Sequence, residues 1–590
     1  MIHYINMDEK KLEHNRHTLA HLLAQSVSTL YPQSQLTLGP AIDNGFYYDI
    51  DFGTEKISDS DLQKIEDLMK KNLTNWIEFT HKVVSKDEAL AVFLGNVYKT
   101  ELINEISDRA EEITLYTCGG FTDLCRGGHA ENPSIEIPTD SFKLDRVAGA
   151  YWRGDENNKM LTRIYGLAFE NKEKLDEYIT QQEEAKKRDH RKLGKELELF
   201  TIIEEIGAGL PLFYPKGAIL RRTIENFITD VQEKRGFVPI WIPHITKGKL
   251  YEISGHLDKY DAMYTPMTID GGDNYYLKPM NCPHFMMLYK TLPHSYRDLP
   301  VRYVSTTTNY RYEKSGELSG LTRVRSLTQD DCHVFCEPTQ IHNEIKVMLE
   351  MINEVYDAFG FKDFYVRISL RDSQNKSKYL GSDEVWNTAE NALREIVKQT
   401  GWNYKEAEDE AAFYGPKLDF MFKDAIGREW QLSTIQLDFN LPERFDLDYV
   451  NSEGNKVRPV VIHRAMLGST ERFMGIMIEH FAGAFPTWLS PVQVSIVPVR
   501  EEFHGEYANK ILNDLKEKGI RAELSSSDDS LGKRINSAKA QKVPYVIVIG
   551  DKEIEKNLLT VETRGEKIVD IAIEDFTTKL EDEIKNKTLN

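Results

Sequence analysis

The 590-residue chain has no run near 18 uncharged apolar residues, which leaves no candidate membrane helix. Its first fifteen residues, MIHYINMDEKKLEHN, lack the apolar core of a secretion signal. Five cysteines cannot build a disulfide framework for a chain this long. In a reducing compartment, those near histidines are better read as metal-binding or catalytic candidates. Positive charge is also short: the net charge of −20 argues against a generic nucleic-acid binder. Local basic patches on an acidic whole still leave RNA binding open. Low-complexity tracts and repeats of 20–50 residues are absent, as are GxxxxGK[ST] and a GxGxxG opening a helix.

What remains is an ordinary soluble composition, 41% hydrophobic and 28% charged, in a chain too long for one core. Three or four domains are expected, with the cytoplasm as the default location. Residues 9–31 carry apolar positions at helical spacing, and 36–52 read as strands around Gly-Pro and Asn-Gly turns. A mixed α+β unit follows to about 170. Residues 171–200 are rich in helix formers and charge, which predicts one long solvated connecting helix. From about 210 to 490, strand runs such as PVRYVSTTTNYRYE, RVRSLTQDDCHVFC and VRPVVIHRAML predict a largely antiparallel sheet flanked by helices. After Ser490-Pro491 the pattern becomes short apolar strands separated by helices, which predicts a small parallel α/β domain. The boundaries are therefore set at 1–170, 171–200, 201–490 and 491–590.

Three groups of residues carry chemistry. Arg311, Arg323, Arg325 and, in GSTERF, Arg472 are read as lying on predicted strands. Arginine stays charged at any working pH and grips phosphate with two donors at once, although surface ion pairs would use the same residues. Cys282 in KPMNCPHF, His333 in QDDCHVF and His463 in VVIHRAML offer one thiolate and two imidazoles, a good zinc set that leaves a position open. Their spacing is long-range, and lone cysteines and histidines are often simply packed. His17 and His21 are four apart on one helix face, and Cys125 and His129 form a second pair in FTDLCRGGHAENP. By ligand type these four suit zinc, and imidazoles of near-neutral pKa equally suit activation of a water.

RYEKSGELSGLTRVRSLTQDDCH resembles motif 2 of class II aminoacyl-tRNA synthetases in its threonyl version. GSTERFMGIMIEHF resembles motif 3, and GFVPIWIPHI, with Pro243, resembles motif 1. The chain is thus similar throughout to the threonyl-tRNA synthetase family. The resemblance implies an α+β multidomain fold with an antiparallel class II catalytic core, an N-terminal α+β editing domain and a C-terminal α/β anticodon-binding domain. It implies a ligase that uses ATP with Mg²⁺, L-threonine and tRNA(Thr), and a homodimer joined through motif 1. Arg311 would contact the α-phosphate and the amino-acid carboxylate, Glu313 the adenine amino group, and Arg323 and Arg472 the distal phosphates. Cys282, His333 and His463 would hold one Zn²⁺ per subunit. Gln329 and Asp331 alternate onto the face of His333, with Asp331 holding the substrate amino group. Tyr414, Gln436 and nearby Lys417 match further pocket positions, and His256 matches a histidine linked to transfer.

An apolar pocket separates threonine poorly from isosteric valine, whereas recognition of amino and hydroxyl groups excludes valine but admits serine. A second, hydrolytic site for seryl-tRNA(Thr) is therefore required. By resemblance it comprises His17, His21, Cys125 and His129, joined by Lys99, Tyr48 and Asp123, in a domain whose threonyl form is usually metal-free. Arg534 and Glu553 are the corresponding anticodon readers. The chain departs from the family at several points. It begins directly at the editing domain, without the small N-terminal domain common in the family. Leu327 stands where a phenylalanine often stacks on adenine, Phe285 replaces a frequent histidine, and Lys314 a frequent proline. Leu432 replaces a frequent cysteine, CRGGH the commoner CRGPH, and Glu562 a common arginine. Another class II synthetase, seryl or prolyl, and a noncatalytic RNA-binding paralogue are the competing readings. The metal set with the editing pairs disfavours the first, and retention of Arg311, Glu313 and Arg472 disfavours the second.

Overall fold

Apolar side chains at helical spacing make Met7–Leu30 a helix, α1, and bury Leu19, Leu22, Leu23 and Val27 completely. The computed structural model describes residues 7–269, 272–424, 427–525 and 528–589. The chain divides into two compact units, 1–183 and 184–590.

In the first unit, α1 packs on β1 (Gly45–Asp51), followed by α2 (Leu62–Leu73) and α3 (Val97–Asp108). A three-stranded sheet joins Thr80–Val84 to β2 (Ile113–Cys118) and β3 (Phe121–Leu124). The five-stranded sheet pairs β1 with β5 (Met160–Ala168), and β5 with β4 (Phe142–Tyr151). The core lies between α1, α2 and this sheet, around Phe46, Ile50, Ile65, Met69 and Ile164.

The connecting segment is two helices. α4 (Lys172–Arg188) stops at Asp189, whose side chain accepts from the Arg191 N–H and caps α5 (His190–Glu196). His190, Leu193 and Gly194 are buried, so the second half of this segment is packed rather than solvated. Charge-rich composition predicted one exposed helix; the aspartate cap and the apolar contacts of α5 break it.

In the second unit, Pro215 opens α6 (Pro215–Glu233), which precedes β6 (Val238–Pro239). Next come α7 (Cys282–Lys290), β7 (Val301–Tyr310), β8 (Ser326–Cys336), α8 (Ile341–Phe359), β9 (Phe364–Ser369), α9 (Asp383–Thr400), β10 (Tyr404–Ala407), β11 (Lys417–Lys423), β12 (Glu429–Asp438), β13 (Val460–Ala465) and α10 (Thr470–His480). The eight-stranded sheet runs β6-β7-β8-β13-β12-β11-β9-β10. Its inner pairs are antiparallel, and only the edge pairs β6/β7 and β9/β10 are parallel. Alternation divides the sheet. Cys332, Val334, Ile435, Leu437 and Ile462 face the core formed with α6, α8 and α10, which leaves Gln329, Asp331, His333, Gln436 and His463 on the other face.

The arginines depart from the strand expectation. Arg311 follows the last residue of β7, Arg323 and Arg325 lie in the connection to β8, and Arg472 is in the first turn of α10. The C-terminal part contains β14 (Val494–Pro498), α11 (Glu501–Glu517), β15 (Ala522–Leu524), α12 (Leu531–Ala540), β16 (Tyr545–Ile549), β17 (Leu559–Thr563), β18 (Lys567–Ile571) and α13 (Ile573–Asn586). Its sheet, β15-β14-β16-β17-β18, is parallel over the first three strands and antiparallel over the rest. The sheet is mixed because the connections from β16 to β17 (550–558) and from β17 to β18 (564–566) are both shorter than a parallel crossover needs.

Candidate functional site

In the second unit, strand register brings the site together. His333 on β8 stands opposite His463 on β13, and His463 opposite Gln436 on β12. Cys282 begins α7. The ligand atoms of Cys282, His333 and His463 all lie within 4.8 Å of one another, and all three residues are buried. Phe285, one turn along α7, stacks on His333 with ring centroids 4.1 Å apart, and Tyr414 lies over His463 at 5.0 Å. His463 Nε2 meets the Asp438 carboxylate at 2.9 Å. The other nitrogen of His463 and both nitrogens of His333 are buried without a hydrogen-bond partner. Burial, then His463 and Arg464, hold His333 well below its usual pKa, in the neutral form that ligates metals. Burial opposes charge on His463 too, but Cys282 and Asp438 outweigh it and raise its pKa to about 10. Anions that favour a proton there equally favour a cation, and a carboxylate behind a histidine orients it for a metal. The donor set and the orphaned nitrogens therefore fit zinc.

A buried chain of polar groups supports this face. Lys278 donates to Asn281 (2.8 Å) and Thr307 (2.7 Å), and Asn281 donates to Asp331 (2.9 Å). Burial raises the pKa of Asp331 to about 6, against the Asn281 bond. Gln329 accepts from Asn309, and Gln436 accepts from the Tyr414 hydroxyl. Lys417 stands opposite Gln436 in register and is held by Asp419 at 3.1 Å. His256 is fully buried, with Nδ1 on Ser254 and Nε2 3.2 Å from the Met280 sulfur. Burial, then Arg311, lower its pKa to about 3.

A cavity of about 410 Å³ is lined by Arg311, Glu313, Arg323, Gln329, Gln436 and Arg472. The Ser469 hydroxyl caps α10 through the Arg472 N–H, which aims this arginine's turn at the cavity. Arg472 donates to the Thr322 carbonyl, and burial, then Arg311 and Arg323, lower its pKa. Three cations that repel one another around one space suit a polyanion. Arg323 is here paired with Glu313 (2.8 Å) and Glu317 (3.1 Å). Leu327 and Leu432 also line the cavity, so a base placed there meets aliphatic surface.

In the first unit, α1 presents His17 and His21, and the chain after β3 presents Cys125 and His129. Their ligand atoms also lie within 4.8 Å of one another. The Cys125 sulfur is 3.5 Å from His17 Nε2 and 3.4 Å from His129 Nε2. Asp123 on β3 accepts from Tyr48 (2.6 Å) on β1, lies 3.1 Å from His21, and pairs with Lys99 on α3. Burial opposes ionisation of Cys125, but His129, His17 and His21 override it and pull the thiol down to about 3. His21 is raised to about 9: burial opposes the proton, and Asp123 and Cys125 retain it. His17, His21, Cys125, Asp123, Tyr48 and Lys99 border a cavity of about 360 Å³. Gly128 has φ +85°, which the proline of the commoner motif could not adopt.

The anticodon candidates are engaged in local structure. Arg534 on α12 is buried, donates to the Val499 carbonyl, and has two guanidinium nitrogens without partners. Glu553 caps its own helix at Gly550 and accepts from Thr560. Glu562 pairs with Lys539 at 2.8 Å. Sequence reasoning missed Asp438, Lys278 and Asn281. Asp438 lay two residues beyond Gln436 on the same strand face, which is the one signal that could have found it.

Residues 264–481 match the tRNA synthetase class II core domain (G, H, P, S and T), and 493–583 match an anticodon binding domain. Residues 113–165 match the threonyl and alanyl tRNA synthetase second additional domain. The threonine–tRNA ligase of Rubrobacter xylanophilus is 50% identical over 93% of this chain and 85% of its own. That of Flavobacterium johnsoniae is 48% identical over 97% and 88%. A crystal structure of the RNA binding domain of threonyl-tRNA synthetase from Cryptosporidium parvum Iowa II superposes with a TM-score of 0.63 at 35% identity. It covers 67% of this chain and 98% of that one. A chain that matches such relatives over nearly its whole length, and joins the class II core to both accessory domains, belongs to the threonine–tRNA ligase family.

Proposed function

We propose that this protein joins L-threonine to tRNA(Thr) in two steps and hydrolyses seryl-tRNA(Thr) at a separate site. The observation that carries the reading is the meeting of Cys282, His333 and His463 on the sheet face whose Gln329 and Gln436 also line the arginine-rich cavity. ATP occupies that cavity with Mg²⁺. Arg311 holds the α-phosphate and the amino-acid carboxylate, Arg323 and Arg472 the distal phosphates, and Glu313 the adenine amino group. Arg323 leaves Glu313 for phosphate when the nucleotide enters. A carboxylate oxygen of threonine attacks the α-phosphorus and pyrophosphate departs, aided by positioning and charge stabilisation, with no protein nucleophile.

Cys282, His333 and His463 would hold one zinc ion per subunit. When bound, it supplies coordination positions for the amino group and β-hydroxyl of threonine. Asp331, aimed by Asn281, takes the amino group, and Gln436, Tyr414 and Lys417 complete the pocket. In the second step a hydroxyl of the tRNA's terminal ribose attacks the threonyl carbonyl and AMP leaves. His256, buried and neutral, belongs to this step as a hydrogen-bonding partner.

In the first unit, His17, His21, Cys125 and His129 position and activate the water that cleaves the seryl ester, with Tyr48, Lys99 and Asp123 fixing the imidazoles. Residues 1–170 form the editing domain, 171–200 the linker, 201–490 the catalytic domain and 491–590 the anticodon-binding domain, where Arg534 would leave the Val499 carbonyl, and Glu553 would leave Gly550 and Thr560, to read bases. A homodimer through motif 1 is supported by the exposure of Val238 (54%) and Trp241 (80%), apolar groups that a partner would cover. Among the described residues no helix is long and apolar enough to cross a membrane. The cytoplasm is the location this reading assigns. Pyrophosphate exchange with each amino acid in turn tests the assignment: strong exchange with threonine, weaker exchange with serine and none with valine or proline supports it, and exchange with serine alone or proline alone rejects it.

A further inference from the structure

His190 is buried at the start of α5, outside the cavity, and the proposed chemistry does not use it. With Asp189 and Glu479 it forms a third cluster of ligand-type side chains. Those groups already have partners. His190 Nδ1 lies 2.6 Å from Glu479 Oε1, and the Leu321 N–H donates to His190 Nε2 at 3.0 Å. The Glu479 carboxylate also takes the His190 N–H and an Arg428 nitrogen, and Asp189 takes the N–H and guanidinium of Arg191. Both ring nitrogens are thus spent, with the proton on Nδ1, and the cluster is a hydrogen-bonded clasp rather than a metal site.

The clasp joins two elements that carry phosphate-binding arginines. Leu321 lies in the second half of the loop between β7 and β8, just before Thr322 and Arg323. Glu479 lies on α10, two turns beyond Arg472. The loop end is itself a closed turn: the Ser319 N–H bonds the Arg323 carbonyl, and the Thr322 hydroxyl bonds the Ser319 carbonyl. Arg472 donates to the Thr322 carbonyl, so loop and helix are tied at one point by Arg472 and at another by His190. Packing leaves little slack. A Cβ on Gly320, whose φ is +48°, would come 2.2 Å from His190 Nε2, and a Cβ on Gly475 of α10 would come 3.3 Å from Leu321.

We infer that His190 is a positioning residue that fixes the separation of Arg323 and Arg472, and so sets ATP affinity without touching ATP. The inference rests on the reading that these two arginines hold the distal phosphates. Loss of the ring frees Leu321 and lets the loop end move relative to α10, while the zinc face on β8, β12 and β13 keeps its own contacts.

Pyrophosphate exchange, with KM measured separately for ATP and threonine, tests this in four variants. Arg472→Ala reports on the phosphate reading. His190→Ala removes the clasp. His190→Asn keeps a donor near Glu479 but is too short to accept from Leu321. His190→Gln carries both a donor and an acceptor at nearly full reach. The expected result is a rise of about tenfold or more in ATP KM for Arg472→Ala, His190→Ala and His190→Asn, with threonine KM within about twofold of wild type. His190→Gln recovers most of the loss. Should His190→Ala fail to fold, the Asn and Gln pair carries the same comparison. Equal shifts in both KM values, an unchanged ATP KM in the His190 variants beside a raised one in Arg472→Ala, or no difference between Asn and Gln would overturn the inference. An ordinary ATP KM in Arg472→Ala would remove the phosphate reading and this inference with it.

Discussion

The Cys125 thiol offers a test that needs no tRNA. Its neighbours His129, His17 and His21 outweigh burial and bring its pKa from 9.0 to about 3. An ordinary thiol near 9 is about one-thousandth ionised at pH 6, and its alkylation rate climbs about tenfold per pH unit up to 8. Cys125 is already fully ionised across that range, so its rate is flat from pH 5 to pH 8. The absolute rate is not high. Nucleophilicity falls with pKa at a Brønsted slope of about 0.45, which costs roughly 500-fold over six units and nearly cancels the gain in thiolate at pH 6. The slope, not the speed, is the signature. Cys118, Cys282, Cys332 and Cys336 are buried whereas Cys125 is partly exposed, so iodoacetamide in the presence of chelator, followed by peptide mass mapping, isolates it. His17→Ala with His129→Ala removes two of the three donors and brings back pH dependence. A wild-type rate that rises tenfold per unit through pH 8 would refute the thiolate–imidazolium reading.

Three further tests have expected outcomes. His17→Ala combined with His21→Ala leaves charging with threonine intact but lets seryl-tRNA(Thr) accumulate; continued hydrolysis of that ester by the variant rejects the editing assignment. Burial raises Asp331 to about 6, so its carboxylate is charged above that pH and neutral below. In zinc-free protein a carboxyl titration near pH 6, followed by NMR or carbonyl infrared, is therefore expected; Asp331→Asn removes it, and bound zinc moves it down. Phe285 is fully buried against His333, so Phe285→Ala opens a cavity beside this proposed metal ligand, at a cost of about 3 kcal/mol or more. Zinc transfer to a chromophoric chelator then quickens, and an unchanged rate would show that the stacking contributes nothing.

Much of the site was legible because its chemistry needs particular residue types on strands of strict alternation. Gln329, Asp331 and His333 could be assigned to one face from spacing alone, and the apolar residues between them to the core. The pairing of His333 with His463 could not, because register between strands 130 residues apart is set by the whole sheet. The arginines were misassigned to strands because β7 ends at Tyr310, one residue before Arg311, and element ends are not fixed by local pattern. The break at Asp189 was obscured by charge on both sides. His190 there reads as one more polar residue, although its partners are Leu321 and Glu479, far along the chain. Asp438 and Lys278 were missed for a related reason: a carboxylate or amine that supports another side chain has no motif of its own.

Metal analysis coupled to amino-acid-dependent pyrophosphate exchange on the purified chain tests the central claim most directly. The account predicts one zinc per subunit, exchange that depends on threonine and is negligible with valine, and loss of both zinc and exchange in Cys282→Ser. A metal-free enzyme of full activity, or a Cys282→Ser variant that still activates threonine, would contradict it.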